Sequence, residues 1–203
     1  MKKYKYSRYS SFFRLGLSFL FFSFLISCSS TLHFQDAAPL GKGVGEVMGG
    51  FGAGYYPESV ESKNYGFPFT ASFRYGVGSR SDLGLRYSLI DDVELTFKQN
   101  LVDSRLFLFS AGMNAGLDDV FSSDKTFHAT LPLYIQFRFG SFSIYGIPAV
   151  NTGRFGSSVG FSGNAGVSFG RWNERFFIEG GVADYKGVGT AVKTLGIGFA
   201  HRF

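Results

Sequence analysis

The stretch T-A-V-K-T-L-G-I-G-F-A-H-R-F, from Thr190 to Phe203, decides the fold. Counted back in twos from Phe203, one face carries His201, Phe199, Ile197 and Leu195. The other carries Arg202, Ala200, Gly198, Gly196 and Thr194. A period of two is a strand's period, and bulky apolar side chains separate cleanly from small or polar ones. A soluble sandwich would turn the small, polar face to water. A transmembrane barrel turns the apolar face to lipid and the small, polar face to its lumen.

The alternation recurs upstream. It predicts strands over 43–56, 65–78, 82–90, 92–101, 104–117, 125–139, 141–151, 158–170 and 174–184, and the terminal stretch makes ten. Each is long enough to cross a bilayer at a tilt, which takes about 9–11 residues. Ten is even, as a closed antiparallel barrel of the bacterial kind requires. The expected fold is all-β, a closed antiparallel transmembrane β-barrel of about ten strands. Eight or twelve stay open, because 92–101 and 141–151 alternate least cleanly; in the latter, Ile147 opposes Phe142, Ile144 and Val150. Connections at 79–81, 102–103, 140 and 171–173 are short and belong on the periplasmic side. Those at 57–64, 118–124, 152–157 and 185–189 are longer and belong outside.

A terminal strand that ends on Phe203 resembles the last strand of bacterial outer-membrane β-barrels. That resemblance implies the outer-membrane lipid as solvent and the barrel assembly machinery as the partner that reads Phe203. The N-terminus has a basic region, then L-G-L-S-F-L-F-F-S-F-L-I over Leu15–Ile26, an apolar core too short to span. Leu25-Ile26-Ser27-Cys28 resembles a bacterial lipobox. It implies cleavage before Cys28, lipidation of that residue, and handling by the lipoprotein processing and sorting machinery. Ser29 rather than Asp after the cysteine implies delivery to the outer membrane. The expected organisation is a signal peptide over 1–27, a periplasmic tether over 28–42 and the barrel over 43–203, with both termini periplasmic. Cys28, the single cysteine, forms no internal disulfide.

The basic balance belongs to the leader. Of 20 Lys and Arg against 15 Asp and Glu, Lys2, Lys3, Lys5, Arg8 and Arg14 lie in residues 1–27, so the remainder is formally neutral. Net charge gives no reason to expect nucleic acid as a partner.

Motifs for chemistry are sparse. Gly41-Lys42-Gly43-Val44-Gly45 lacks the Ser or Thr after Lys that a phosphate loop needs, and reads as a strand entry. His33 falls in the tether and His201 on the outer face; only His128 comes near the outer rim, with Ser122 and Asp124 nearby in sequence. A hydrolase needs nucleophile, base and orienting group to converge, and no local motif links these three. Asp91, Asp92, Asp118, Asp119 and Asp124 show no metal-loop spacing. No catalytic residue, cofactor or metal is therefore expected. The inward charges carry more information: Glu46, Glu94 and Glu179 face Arg74, Arg86, Lys98, Arg138 and Arg202. In a narrow lumen they should pair and plug it, since isolated buried charges are costly; the alternative is a small anion-preferring pore. Pairing residue numbers that sum to about 120 sets Glu46 opposite Arg74, and barrel closure brings Arg202 beside Glu46.

Three functions fit this reading: a non-catalytic outer-membrane barrel lipoprotein with a structural, surface-interaction or narrow-channel role; a barrel enzyme acting on lipid or peptide at the outer rim; and a secreted lipocalin-like carrier. A surface partner, if there is one, is not named by the sequence.

Overall fold

The computed structural model describes residues 32–55, 65–88, 92–118, 120, 125–152, 159–185 and 191–203. The leader, Cys28, Asp91, Asp119, Ser122 and Asp124 lie outside them. Strand follows strand with no helix among the described residues: β1 Gly45–Tyr55, β2 Tyr65–Gly66, β3 Phe69–Gly76, β4 Ser81–Ser88, β5 Asp92–Asp103, β6 Phe107–Asp118, β7 Thr126–Phe139, β8 Phe142–Thr152, β9 Gly160–Gly170, β10 Glu174–Tyr185 and β11 Val192–Arg202. Each strand from β3 to β11 pairs antiparallel with the next, and β11 closes the sheet against β1.

β2 and β3 are one stave. Both pair with β1 in a single register, Gly54 opposite Gly66 and Phe51 opposite Phe69. The interruption falls at Phe67–Pro68, where proline has no N–H to give the ladder; its carbonyl still accepts from Gly52 N at 2.9 Å. The result is a closed ten-stranded antiparallel barrel. One further irregularity is a bulge in β5 between Asn100 and Val102, which leaves Leu101 and Val102 both on the exterior.

Alternation sets the two faces. Phe51, Leu95, Leu131 and Phe161, from four different strands, are each more than half exposed on the exterior. Thr70, Ser110, Gln136 and Glu179 are fully buried inside. An apolar outside around a polar inside is a transmembrane barrel's arrangement, and the reverse of what a soluble carrier needs. β8, the stretch with the least clean alternation, keeps the same rule. Ile147 is buried in the lumen while Phe142, Ile144 and Val150 face out.

The largest departure from the sequence reading is the stretch expected to be a tether. Leu32 to Ala38 and Leu40 are buried, and they lie inside the barrel. The chain turns back at Gly41 (φ 88°) and Gly43 (φ 83°), left-handed conformations that glycine adopts without steric cost. Val44 then leads into β1. The turn is clamped to the end of β3 by Gly43 N to Gly76 O at 2.8 Å and Gly76 N to Val44 O at 2.9 Å. Leu40 thus lies at the short-turn end, and Leu32 lies against Gly52 and Gly196, toward the opposite end. Residues 32–40 are therefore a plug, not a periplasmic tether. Buried apolar area and hydrogen bonds to the wall hold them in place of water.

The filled lumen as candidate functional site

Four glycines on the inner wall make room for the plug. A Cβ on Gly198 would lie 2.7 Å from Phe34 Cγ, and one on Gly52 would lie 2.9 Å from Leu32 Cδ1; Gly50 and Gly196 face the same two side chains. These glycines are the small face of β1 and β11. Beyond lining a lumen, they form the seat of Phe34 and Leu32.

Polar contacts fix the plug's backbone. Phe34 has φ 47°, uncommon for a residue with a Cβ and a local strain. Beside it, two successive N–H groups converge on one anion, as in a backbone nest. That anion is Glu179: His33 N and Phe34 N donate to its two carboxylate oxygens, the second at 2.9 Å. Tyr145 Oη and Asn164 Nδ2, each at 2.7 Å, complete the shell. The sequence reading set Glu179 against cations. All four of these donors are uncharged, and it is the plug's backbone that replaces the expected arginine. Further down, Lys98 Nζ donates to the carbonyls of Ala38 (2.8 Å) and Asp36 (3.1 Å) and pairs with Asp82 at 3.2 Å. Asp82 in turn accepts from Leu40 N at 3.0 Å. Ser110 Oγ donates to Ala37 O at 2.6 Å, and Arg175 pairs with the Asp36 carboxylate at 2.8 Å.

The remaining charges form two groups. At the short-turn end Glu46 stands between Arg74 and Arg202, its neighbours across β3 and β11 in the sheet. Arg202 Nε donates to Glu46 Oε2 at 2.7 Å, while Arg74 Nε donates to Oε1 at 3.0 Å and Nη2 reaches the same oxygen. All three side chains are buried. Nearer the long-loop end Arg86 pairs with Glu94 across β4 and β5 and approaches His33 Nδ1 at 2.6 Å. His128 brings Nε2 to 3.0 Å from Glu94 and 3.5 Å from Asp92, and Nδ1 to 3.3 Å from Asp118. Arg138, the last of the expected set, joins neither group; it lies at the short-turn mouth. Phe203 pairs its backbone with Gly45 in both directions, at 2.9 and 3.0 Å, and its side chain is exposed.

Sequence reasoning missed Asp36 and the plug backbone because none of the strand periods runs through residues 32–40. Asp82 and Asn164 lie on predicted strands, but Leu40 N on the plug and Glu179 on the wall, which they bond, could not be read as their partners. For metal binding, the donor atoms of Asp92, Asp118 and His128 lie within 4.8 Å of one another, a group supplied by three successive strands. For acid–base work the same imidazole has a carboxylate on each ring nitrogen.

No protein-family model matches this chain, and no curated protein matches it either. Solved structures similar in fold include the attachment invasion locus protein Ail of Yersinia pestis, at 15% identity over 80% of this chain and 99% of that one, with a TM-score of 0.36. Another is the outer membrane protease OmpT from Escherichia coli, at 8% identity over 84% and 100%, with a TM-score of 0.41. A third is the translocator domain of the autotransporter NalP from Neisseria meningitidis, at 10% identity over 80% and 89%, with a TM-score of 0.40. The likeness is one of barrel architecture.

Proposed function

We propose that this chain is a bacterial outer-membrane barrel held shut by its own N-terminal segment, with a non-catalytic structural or surface-interaction role. The observation that carries this reading is the plug itself. Residues 32–40 occupy the lumen and are bonded to β4, β5, β6 and β10 through Asp82, Lys98, Ser110, Glu179 and Arg175. A barrel of this size has little interior to spare, and a nine-residue segment with an aromatic ring occupies it. Among the three roles the sequence left open, the narrow channel is the one this packing disfavours. The test is single-channel recording in planar bilayers. The intact protein should give no stable steps, and a chain lacking residues 32–40 should give them. Large steady currents from the intact protein would overturn the reading.

The finer features follow the resemblances already described. Cys28 carries the lipid, Phe203 serves the assembly machinery, and the short-turn end faces the periplasm. Labelled fatty acid should attach to the wild type and not to Cys28→Ser, in an outer-membrane fraction. Label on the Cys28→Ser chain would remove the lipoprotein assignment.

The His128 cluster favours a second reading, an enzyme acting at the outer rim. An imidazole with a carboxylate at each ring nitrogen can donate a proton from either one and is suited to acid–base work. Turnover of peptide or phospholipid that Phe199→Ala leaves intact and His128→Ala abolishes would establish it. Absence of turnover on both substrate classes would leave the plugged, non-catalytic barrel.

A further inference from the structure

The short-turn mouth of the barrel holds a cavity of about 320 Å³ beneath the plug. Four guanidinium groups line it: Arg138 from the end of β7, Arg171 from the β9–β10 turn, Arg175 from the start of β10 and Arg202 from the end of β11. Asp103 is the one carboxylate in the lining. Two of the arginines are answered from within the lumen, Arg175 by Asp36 of the plug and Arg202 by Glu46, and Glu46 is shared with Arg74. Arg138 and Arg171 have no ion pair among the described residues. Arg202 is buried, its Nη2 has no hydrogen-bond partner, and its guanidinium carbon sits 5.7 Å from the centre of the Trp172 ring.

Four like charges held around one small space repel one another unless something negative comes between them. The plug answers Arg175 alone, through Asp36; to the cavity itself it presents Ala38 and Pro39. We propose that the mouth is a binding site for a phosphate group presented from the periplasmic side. Guanidinium forks match phosphate oxygens in pairs, and a phosphate offers enough acceptors to serve several arginines together. A metal cation is repelled by the same lining. The volume lies at the small-molecule end of ligand pockets, so the site takes a single phosphorylated head. Two sources carry that chemistry, a soluble phosphate monoester and a phospholipid headgroup at the membrane edge. The site does not depend on whether the barrel is a lipoprotein or on what its outer loops do.

Trp172 lines the cavity and is the only tryptophan of the chain, so intrinsic fluorescence reads the site directly. The full chain, purified in phosphate-free maltoside micelles, is titrated with inorganic phosphate, with glycerol phosphate and with short-chain phosphatidylglycerol, against chloride at matched ionic strength. A saturable change with the soluble phosphates assigns a soluble ligand; a saturable change with the lipid alone assigns the headgroup. Either result supports the site if Arg138→Gln with Arg171→Gln weakens it at least tenfold while the barrel keeps its shifted gel mobility before boiling. Should the double variant fail to fold, Arg171→Gln alone, an exposed turn position, should weaken it at least threefold. No saturable change with any of the three probes, a chloride effect of the same size, or unchanged affinity in the folded variants overturns the proposal.

Discussion

The ring of Phe34 fills the space directly inside Gly198, where an added Cβ would lie 2.7 Å from Phe34 Cγ. Gly50 stands across the β1–β11 seam from Gly198 and faces the same ring. Plug and wall are therefore fitted to each other, and a larger residue at Gly198 has to displace one of them. Gly198→Val should destabilise the folded barrel by about 1–3 kcal/mol, the usual cost of overpacking. Adding Phe34→Ala should return part of that loss. Denaturant titrations in lipid vesicles measure both, and strictly additive energies would show that the ring does not occupy this seat.

On β7, Leu133 faces lipid in mid-strand, whereas Phe139 faces lipid at the end next to the turn at Gly140. Leu133→Arg should cost about 2–4 kcal/mol and Phe139→Arg about 0–1 kcal/mol, because the penalty for a charge falls from midplane to interface. Equal costs in the same refolding assay would mean that the strand's depth in the bilayer is wrong.

Glu46 is the shared acceptor of Arg74 and Arg202. Glu46→Ala leaves two buried guanidinium groups without their carboxylate and should cost about 3–5 kcal/mol. Combining it with Arg74→Ala should cost less than the sum of the single changes, by about 0.5–3 kcal/mol. A coupling near zero would indicate a hydrated lumen in which these charges act separately.

Much of this architecture is legible in the sequence because a barrel strand has two different solvents and a period of two. Phe199, Ile197 and Leu195 announce lipid as plainly as Arg202 and Thr194 announce the interior. Register is legible where a charge has one sensible partner, as with Glu46 and Arg74, which the sheet sets opposite each other. The plug is not legible by these means. Leu32 to Leu40 carries no period, and what holds it is largely main chain: two N–H groups on Glu179 and the carbonyls of Asp36, Ala37 and Ala38. Main-chain partners leave no trace in residue type. The one side-chain signal was the run of glycines at 50, 52, 196 and 198, and glycine on a lumen face reads equally well as a small residue that merely saves space. Glu179 shows the same limit from the other side. A buried carboxylate calls for a cation in any reading by side chains, and the fold supplies a strained Phe34 and its neighbour's N–H in place of one.

The central claim is that residues 32–40 are an integral part of the barrel's interior, and backbone hydrogen exchange tests it most directly. With the full chain in lipid nanodiscs, the amides of His33, Phe34 and Leu40, which donate to Glu179 and Asp82, should exchange slowly, at rates approaching those of β11. Glu179→Ala should speed His33 and Phe34 while leaving β5 and β6 protected. Exchange of the 32–40 segment at the rate of an unstructured peptide in the intact protein would contradict the plug and return this stretch to the role of a tether.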